Sequence, residues 1–239
     1  MEKKQTIDFI GNGSCFNTEF GNNAAYYKEE QGKRLLLIDC GESIFERVRK
    51  LKLLEKAEEI SVLITHLHTD HVGSLSSLIY FCQYVKGIKP TILYPEKEKL
   101  EQLLTITENE LGTFQLVDPS EYEKFPIEAI RQQHTKVAGA YGYILEIGGK
   151  RIYYSGDTKT ISEKVIQEFR EGKLDEFYQD VSRYDTPAHI SIEELKRIFS
   201  QNERSKITCM HFDDEITMQM AECLGFNVAR VKGLRELER

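Results

Sequence analysis

Ser61-Val62-Leu63-Ile64-Thr65-His66-Leu67-His68-Thr69-Asp70-His71 is the stretch on which the reading of this chain turns. Ser61 to Ile64 reads as a short apolar strand, and it delivers the chain straight into three histidines and an aspartate within six residues. Alternate residues of a strand share a face, so His66 and His68 point the same way, while the turn beyond can present Asp70 and His71 to a neighbouring position. Imidazoles and a carboxylate packed this densely are metal ligands by type, and two target points suit two ions better than one. The competing reading is an accidental polar surface cluster, and the apolar strand leading into it argues against that.

The flanks of this stretch set the fold class. Upstream, Thr6 to Ile10, Ala24 to Tyr27 and Arg34 to Asp39 read as strands of an antiparallel opening, followed by a predicted helix from Ser43 to about Leu54. Downstream, a helix is predicted from Val72 to about Val85, then a β/α unit around Thr91 to Leu104. Strands return at Phe114 to Val117, Ile127 to Gln133, Tyr141 to Ile147 and Arg151 to Tyr154, the last two joined by Gly148-Gly149, a good hairpin turn. Helices near Ile161 to Phe169, Ile192 to Phe199 and Ile216 to Leu224 alternate with strands at Phe177 to Gln179, Ile207 to Met210 and Asn227 to Val231. Ser191 with Glu194 reads as a capping box for the second of these helices. Two β-rich sections, each followed by helices, indicate two face-to-face sheets with helices outside; periodicity alone supports a mixed α/β domain.

Composition excludes several classes. The 239 residues are 40% hydrophobic and 30% charged, the profile of a compact globular chain. The longest aliphatic run, Leu35 to Ile38, is far short of the roughly 20 apolar residues of a membrane-spanning helix. Met1-Glu2-Lys3-Lys4-Gln5 carries the charge of a signal peptide but runs into a strand pattern, so a cytoplasmic protein is expected. Five cysteines without a CxxC indicate reduced, mostly buried thiols. A net charge of −7 opposes broad attraction to a phosphate backbone.

Three further residues stand at predicted strand ends: His134, Asp157 and His211. Each taken alone reads as a structural histidine or a turn aspartate, but strand ends are where loops gather and sites are built. With these in place, the sequence resembles the metallo-β-lactamase superfamily, whose HxHxDH signature reads here as His66-Leu67-His68-Thr69-Asp70-His71. His134 resembles the third ligand of the first metal, Asp157 the bridging carboxylate and His211 the last ligand of the second. Gly11-Asn12-Gly13-Ser14 and Ile38-Asp39-Cys40-Gly41 also match, so the resemblance spans nearly the whole chain.

The resemblance implies a four-layer αββα sandwich forming one domain over residues 1–239. It assigns His66, His68, His134 and Asp157 to one divalent ion and Asp70, His71, His211 and Asp157 to another, with hydroxide held between them as nucleophile. Zinc is the expected metal, with manganese the alternative. The bridging aspartate argues against the antibiotic-hydrolysing branch. Tyr178-Gln179-Asp180-Val181-Ser182, with His189 and Ser191, instead resembles the ribonuclease Z branch. There His189 is the general acid and Asp180 holds its imidazole; the family's usual His-Glu pair is replaced here by Gln179-Asp180. Asp70 is also expected to orient the attacking hydroxide, and a homodimer is expected from the resemblance.

A tRNA-processing ribonuclease Z carries a basic, glycine-rich arm between the third-histidine and aspartate motifs. His134 and Asp157 are 23 residues apart, an interval filled by the predicted hairpin, so no arm fits. The expected substrate is therefore a small nucleotide, foremost a cyclic mononucleotide, as for compact armless members of the branch, including phage proteins opposing nucleotide-signalling immunity. Large RNA is disfavoured. The alternatives are tRNA 3′-processing, glyoxalase-type thioester hydrolysis and a non-catalytic binding module. The basic run Arg47, Arg49, Lys50 and Lys52 reads as a solvated helix face, with an RNA contact as its alternative.

Overall fold

The computed structural model describes residues 5–136 and 139–231. Its first sheet contains β1 (Asp8–Gly11), β2 (Ala24–Glu29), β3 (Arg34–Ile38), β4 (Glu59–Leu63), β5 (Thr91–Leu93) and β6 (Gln115–Val117), side by side in chain order. The second contains β7 (Ile127–Arg131), β8 (Tyr141–Ile147), β9 (Lys150–Tyr154), β10 (Glu176–Asp180), β11 (Ile207–Met210) and β12 (Asn227–Val228), again in chain order. In each sheet the first three strands pair antiparallel and the rest pair parallel. Short turns suffice for the antiparallel pairs: Gly148 and Gly149, at φ 59° and 71°, close β8 onto β9 with the left-handed backbone such a hairpin needs. Parallel neighbours need crossovers, and helices supply most of them.

The helices are α1 (Ile44–Lys50), α2 (Thr69–Val72), α3 (Leu75–Tyr80), α4 (Lys97–Ile106), α5 (Glu163–Arg170), α6 (Ile192–Ile198), α7 (Gln201–Arg204) and α8 (Glu215–Cys223). The residues of β3 show how the layers arise. Leu35 and Leu37 pack outward against Val48, Leu78 and Leu100 of α1, α3 and α4. Leu36 and Ile38 alternate inward, meeting Tyr143, Leu145 and Tyr154 of the second sheet. A third cluster joins Tyr153, Phe177 and Ile207 to Val165, Leu195 and Ala221 of α5, α6 and α8. Central strands covered on both faces are apolar at successive positions rather than alternately, as Leu35 to Ile38 are. The result is the expected αββα sandwich. No helix among the described residues is long and apolar enough to cross a membrane.

The structure departs from the sequence expectations in several places. The helix predicted from Val72 begins earlier, so Asp70 and His71 lie in the first turn of α2. It is interrupted at Gly73 and Ser74, resumes as α3, and continues through a π-helical segment over 81–86. Helix α1 stops at Lys50, with Lys52 in the left-handed region. Ser191 does accept from the Glu194 N–H, but the Glu194 carboxylate pairs with Lys159, and the full reciprocal box is Ser200 with Glu203. Of the cysteines, Cys40, Cys82 and Cys209 are buried, while Cys15 and Cys223 are exposed. The basic run is largely engaged within the fold: Arg47 donates to the carbonyls of Ile10 and Phe20, Arg49 stacks on Phe81, and Lys50 pairs with Glu46.

One close approach holds the histidine-rich loop in place. Cys40 N–H donates to the His71 carbonyl at 2.7 Å and Ser74 N–H to the Cys40 carbonyl at 3.1 Å, which presses the turn after β3 against α2. A Cβ on Gly41 would overlap the backbone carbonyl of Asp70. Backbone cannot swing aside as a side chain can, so Gly41→Ala is expected to destabilise the fold by about 1–3 kcal/mol. A urea unfolding midpoint equal to that of the parent would contradict this.

Candidate metal centre

Every residue of the centre lies at or just past the end of a strand. Asp39 follows β3, His66, His68, Asp70 and His71 follow β4, His134 follows β7, Asp157 follows β9, Asp180 ends β10 and His211 follows β11. The strands converge on one edge of the sandwich, so residues far apart in sequence meet there. Two of these residues hold unusual backbone: Asp39 and His211 are left-handed, at φ 66° and 62°. Non-glycine residues adopt that conformation at a cost, which is borne where the surroundings fix them.

Three imidazole nitrogens form a first group. His66 Nε2 lies 2.9 Å from His68 Nδ1, which lies 3.2 Å from His134 Nε2. Asp157 Oδ2 stands 3.8 and 3.9 Å from the His66 and His134 nitrogens. A second group adjoins it. His71 Nε2 is 3.1 Å from Asp70 Oδ2 and 3.4 Å from Asp157 Oδ2; His211 Nε2 is 3.5 and 3.4 Å from the same two oxygens. Asp157 Oδ2 thus borders both groups, in the position of a bridge.

The outward nitrogens decide what the inward ones are. His71 Nδ1 meets Asp39 Oδ2 at 2.8 Å and His134 Nδ1 meets the Ala188 carbonyl at 2.9 Å, and both partners accept. Thr65 Oγ1 donates to Asp39 Oδ2, which leaves its lone pair to accept from His66 Nδ1 at 3.1 Å. His211 Nδ1 faces Asp180 Oδ1 at 3.2 Å. With their N–H groups directed outward, His66, His71, His134 and His211 aim lone pairs inward. Such oxygen partners fix the tautomer of metal-ligating histidines.

Lone pairs crowded together repel unless a cation lies among them. Tetrahedral coordination at 2.0–2.1 Å places neighbouring ligand atoms about 3.3 Å apart, and the separations here run from 2.9 to 3.9 Å. His71 Nε2, His211 Nε2 and Asp157 Oδ1 are buried without a hydrogen-bond partner. The electrostatics agree. Burial opposes charge on His71, yet Asp157, Asp70 and Asp39 hold its pKa well above the usual imidazole range, because three carboxylates surround this one ring. Burial and the neighbouring His71 push His66 well below that range, keeping it neutral. The donor set fits divalent metal ions.

A histidine–carboxylate pair adjoins the second group. His189 Nδ1 lies 2.9 Å from Asp180 Oδ2, an oxygen that also accepts from the Thr158 N–H at 2.9 Å. Burial opposes charge on His189, but Asp180 outweighs it and raises the His189 pKa. The other oxygen of Asp180 is the one facing His211, so this carboxylate touches both the pair and the donor groups. All nine residues singled out from the sequence, His66, His68, Asp70, His71, His134, Asp157, Asp180, His189 and His211, come together. Sequence reasoning gave no role to Asp39 or Thr65. The visible signal was a carboxylate directly after the buried strand Leu35 to Ile38, where a charge needs a partner.

The family described as Anti-Pycsar protein Apyc1 matches residues 5–228. This chain belongs to that family. A relative of the same description from Bacillus phage 010DV004 is 23% identical, over 90% of this chain and 92% of its own length. The metallo-β-lactamase fold protein YhfI from Bacillus subtilis superposes with a TM-score of 0.71 at 17% identity, covering 94% of this chain and 95% of its own. The short form of human tRNase Z gives 0.64 at 18% identity, covering 94% and 96%. Those two likenesses show the fold, and with the family they make the chain a metal-dependent hydrolase.

Asp39 offers a test of the centre that does not depend on turnover. Asp39→Ala removes the acceptor of the His71 Nδ1–H and frees that ring to turn. Metal affinity, measured by competition with a chromogenic chelator, is expected to fall about 10- to 100-fold. Undiminished affinity would show that Asp39 does not orient the ring.

Proposed function

We propose that this chain is a phosphodiesterase acting on a small nucleotide, foremost a cyclic mononucleotide, with two divalent cations, zinc first and manganese as the alternative. His66, His68, His134 and Asp157 hold one cation; Asp70, His71, His211 and Asp157 hold the other. The observation that carries this reading is the His189–Asp180 pair, hydrogen-bonded at 2.9 Å and set against Asp157 at 4.0 Å. A proton donor beside a two-cation donor set suits a reaction whose leaving group is a poor one, such as a ribose alkoxide. Thioester hydrolysis needs no such donor, because a thiolate leaves readily.

The bound cations supply a nucleophilic oxygen at neutral pH and neutralise charge on the phosphate. The residues of this chain do the rest. Asp70 accepts a hydrogen bond from the attacking hydroxide, whose other proton has already passed to solvent, and aims it at phosphorus, opposite the leaving oxygen. As the new P–O bond forms, the ester P–O bond breaks, and His189 Nε2 gives its proton to the departing ribose oxygen. Asp180 keeps the His189 Nδ1–H in place and stabilises the charged ring before transfer. The product is a nucleoside monophosphate.

A small substrate is supported by what lies between His134 and Asp157. Strands β8 and β9 occupy most of that interval, leaving no length for an RNA-gripping arm. Membership of the Apyc1 family and the resemblance to compact armless members of the ribonuclease Z branch support the same reading.

Two measurements test the proposal. His66→Ala is expected to abolish metal-dependent hydrolysis of cyclic mononucleotides, and a chelator to do the same reversibly. His189→Ala is expected to slow ring opening of a cyclic nucleotide about 10²- to 10⁴-fold while slowing release of p-nitrophenolate from bis(p-nitrophenyl) phosphate less than about tenfold. Equal losses on the two substrates would remove the acid role from His189.

A further inference from the structure

His189 stands in the segment that runs from Asp180, at the end of β10, to Ile192, at the start of α6. Its hydrogen bond to Asp180 orients the ring but does not fix the backbone that carries it. The residues following Asp157 do that. Ile190 N–H donates to the Thr158 carbonyl at 2.8 Å, immediately beside His189. The other link is ionic: Lys159 Nζ lies 2.9 Å from Asp185 Oδ1 and 3.1 Å from Glu194 Oε2. Asp185 precedes His189 by four residues and Glu194 follows it by five, so one ammonium clasps the segment on both sides of the histidine. Lys159 is itself anchored, because its N–H donates to the Gln133 carbonyl at 2.6 Å, next to His134. Its side chain is 19% exposed, which leaves the ammonium little freedom to leave its partners.

Stability alone gives these pairs little reason to exist. Asp185 is exposed, and an ion pair to an exposed carboxylate contributes at most about 1 kcal/mol. Glu194 also gives up a local bond to make its pair. Ser191 accepts from the Glu194 N–H at 3.2 Å, as in a capping box, but the glutamate turns to Lys159 and leaves the reciprocal half unmade. A local preference surrendered to a distant partner is expected where a functional site dictates the geometry.

We propose that Lys159 is a positioning residue: by bridging Asp185 and Glu194 it holds the segment that carries His189 at the approach to Asp157 from which the ring delivers its proton. The inference rests on the phosphodiesterase reading and deepens it, since it concerns what places the acid rather than which group the acid is. Lys159 acts through His189. A donor displaced by about 1 Å loses much of its effect, and the loss falls on reactions whose leaving group needs the proton.

The test uses the full chain with two substrates: a 3′,5′-cyclic mononucleotide, which expels a ribose alkoxide, and bis(p-nitrophenyl) phosphate, whose leaving group departs without help. Lys159→Met keeps the aliphatic stem and removes the ammonium. It is expected to lower kcat for the cyclic nucleotide about 10- to 100-fold, with kcat for the nitrophenyl diester and KM for both within about twofold of the parent. Lys159→Arg is expected to recover most of the loss, because its fork of donors can serve both carboxylates. Asp185→Asn combined with Glu194→Gln removes the same pairs from the other side. That double variant is expected to reproduce the pattern and to add nothing in the Lys159→Met background; it carries the test alone if Lys159→Met does not fold. In amide hydrogen exchange, Ile190 is expected to exchange about tenfold faster in Lys159→Met and at the parental rate in Lys159→Arg. Equal losses on the two substrates in folded variants, no loss on either, losses that multiply on combination, or unchanged exchange at Ile190 overturn the positioning role. So does a raised KM for both substrates, which would make Lys159 a direct phosphate contact. If the parent turns over neither substrate, the phosphodiesterase reading falls and the inference with it.

Discussion

Buried imidazoles set side by side with their lone pairs facing inward constitute the constraint on which the rest of this structure depends. Such an arrangement is unfavourable unless each ring is prevented from rotating its proton into the cluster and the converging lone pairs meet positive charge. The fold answers the first condition with four different oxygens. Asp39 takes the outward nitrogen of His71, Thr65 that of His66, the Ala188 carbonyl that of His134, and Asp180 faces that of His211. Each partner comes from a different strand end or loop, so the centre exists only once both sheets are assembled. The left-handed backbone at Asp39 and His211 is the local cost of turning these side chains inward.

Asp180 binds two functions into one carboxylate. One oxygen takes His189 and the Thr158 N–H, and the other faces His211. A change in the charge of either imidazole is therefore felt by the other through a buried group with no access to solvent. On the proposed reading, proton delivery and ligation at the second cation are linked, and the geometry of one is maintained by the other. Thr158 extends the link inward: its hydroxyl donates to Gln132 Oε1 at 3.1 Å, and Gln132 donates to the Tyr153 hydroxyl at 2.9 Å. The acid is thereby anchored in the packing of the second sheet rather than in a surface loop.

How much of this was legible in the sequence depended on how local the determining contact is. The HxHxDH stretch announced itself because four residues of metal-ligating type fall within six positions behind an apolar strand. His134, Asp157 and His211 were legible only through their common place at strand ends, since nothing in their immediate neighbours distinguishes them. Asp39 passed without a role because the ring it holds lies 32 residues on, and no pattern of spacing encodes that pairing. The same cause explains the capping box. Ser191 and Glu194 have the right spacing, but Lys159 from another segment claims the glutamate, whereas Glu203 gives one oxygen to Arg170 and keeps the other for Ser200. The helix after the histidines read as one element because its apolar periodicity continues across Gly73. The break falls at Ser74, whose backbone leaves the helical region at φ −109° and whose N–H donates to the Cys40 carbonyl in the turn after β3. Arg47 looked like part of a solvated charge run because its carbonyl partners, at Ile10 and Phe20, belong to the other end of the first sheet.

The hairpin between His134 and Asp157 bears on selectivity as much as on fold. An enzyme that grips a long nucleic acid can spread recognition over many phosphates; here a net charge of −7 opposes such attraction, and β8 and β9 fill most of that interval. On the proposed reading, recognition of a small nucleotide must then come from the few groups within one ribose of the phosphate. The segments beside the donor groups are tied down. The segment after β1 is fixed to Phe212, and the segment before α6 is fixed by Ala188 to His134 and by Ser182 to Ile190 and Ile192. Segments held this way lose little freedom when a ligand arrives, so more of each contact made there reaches affinity. On the proposed reading, fastening these segments to the strand ends that carry the donor groups lets what orients the imidazoles also orient the surface that meets the substrate.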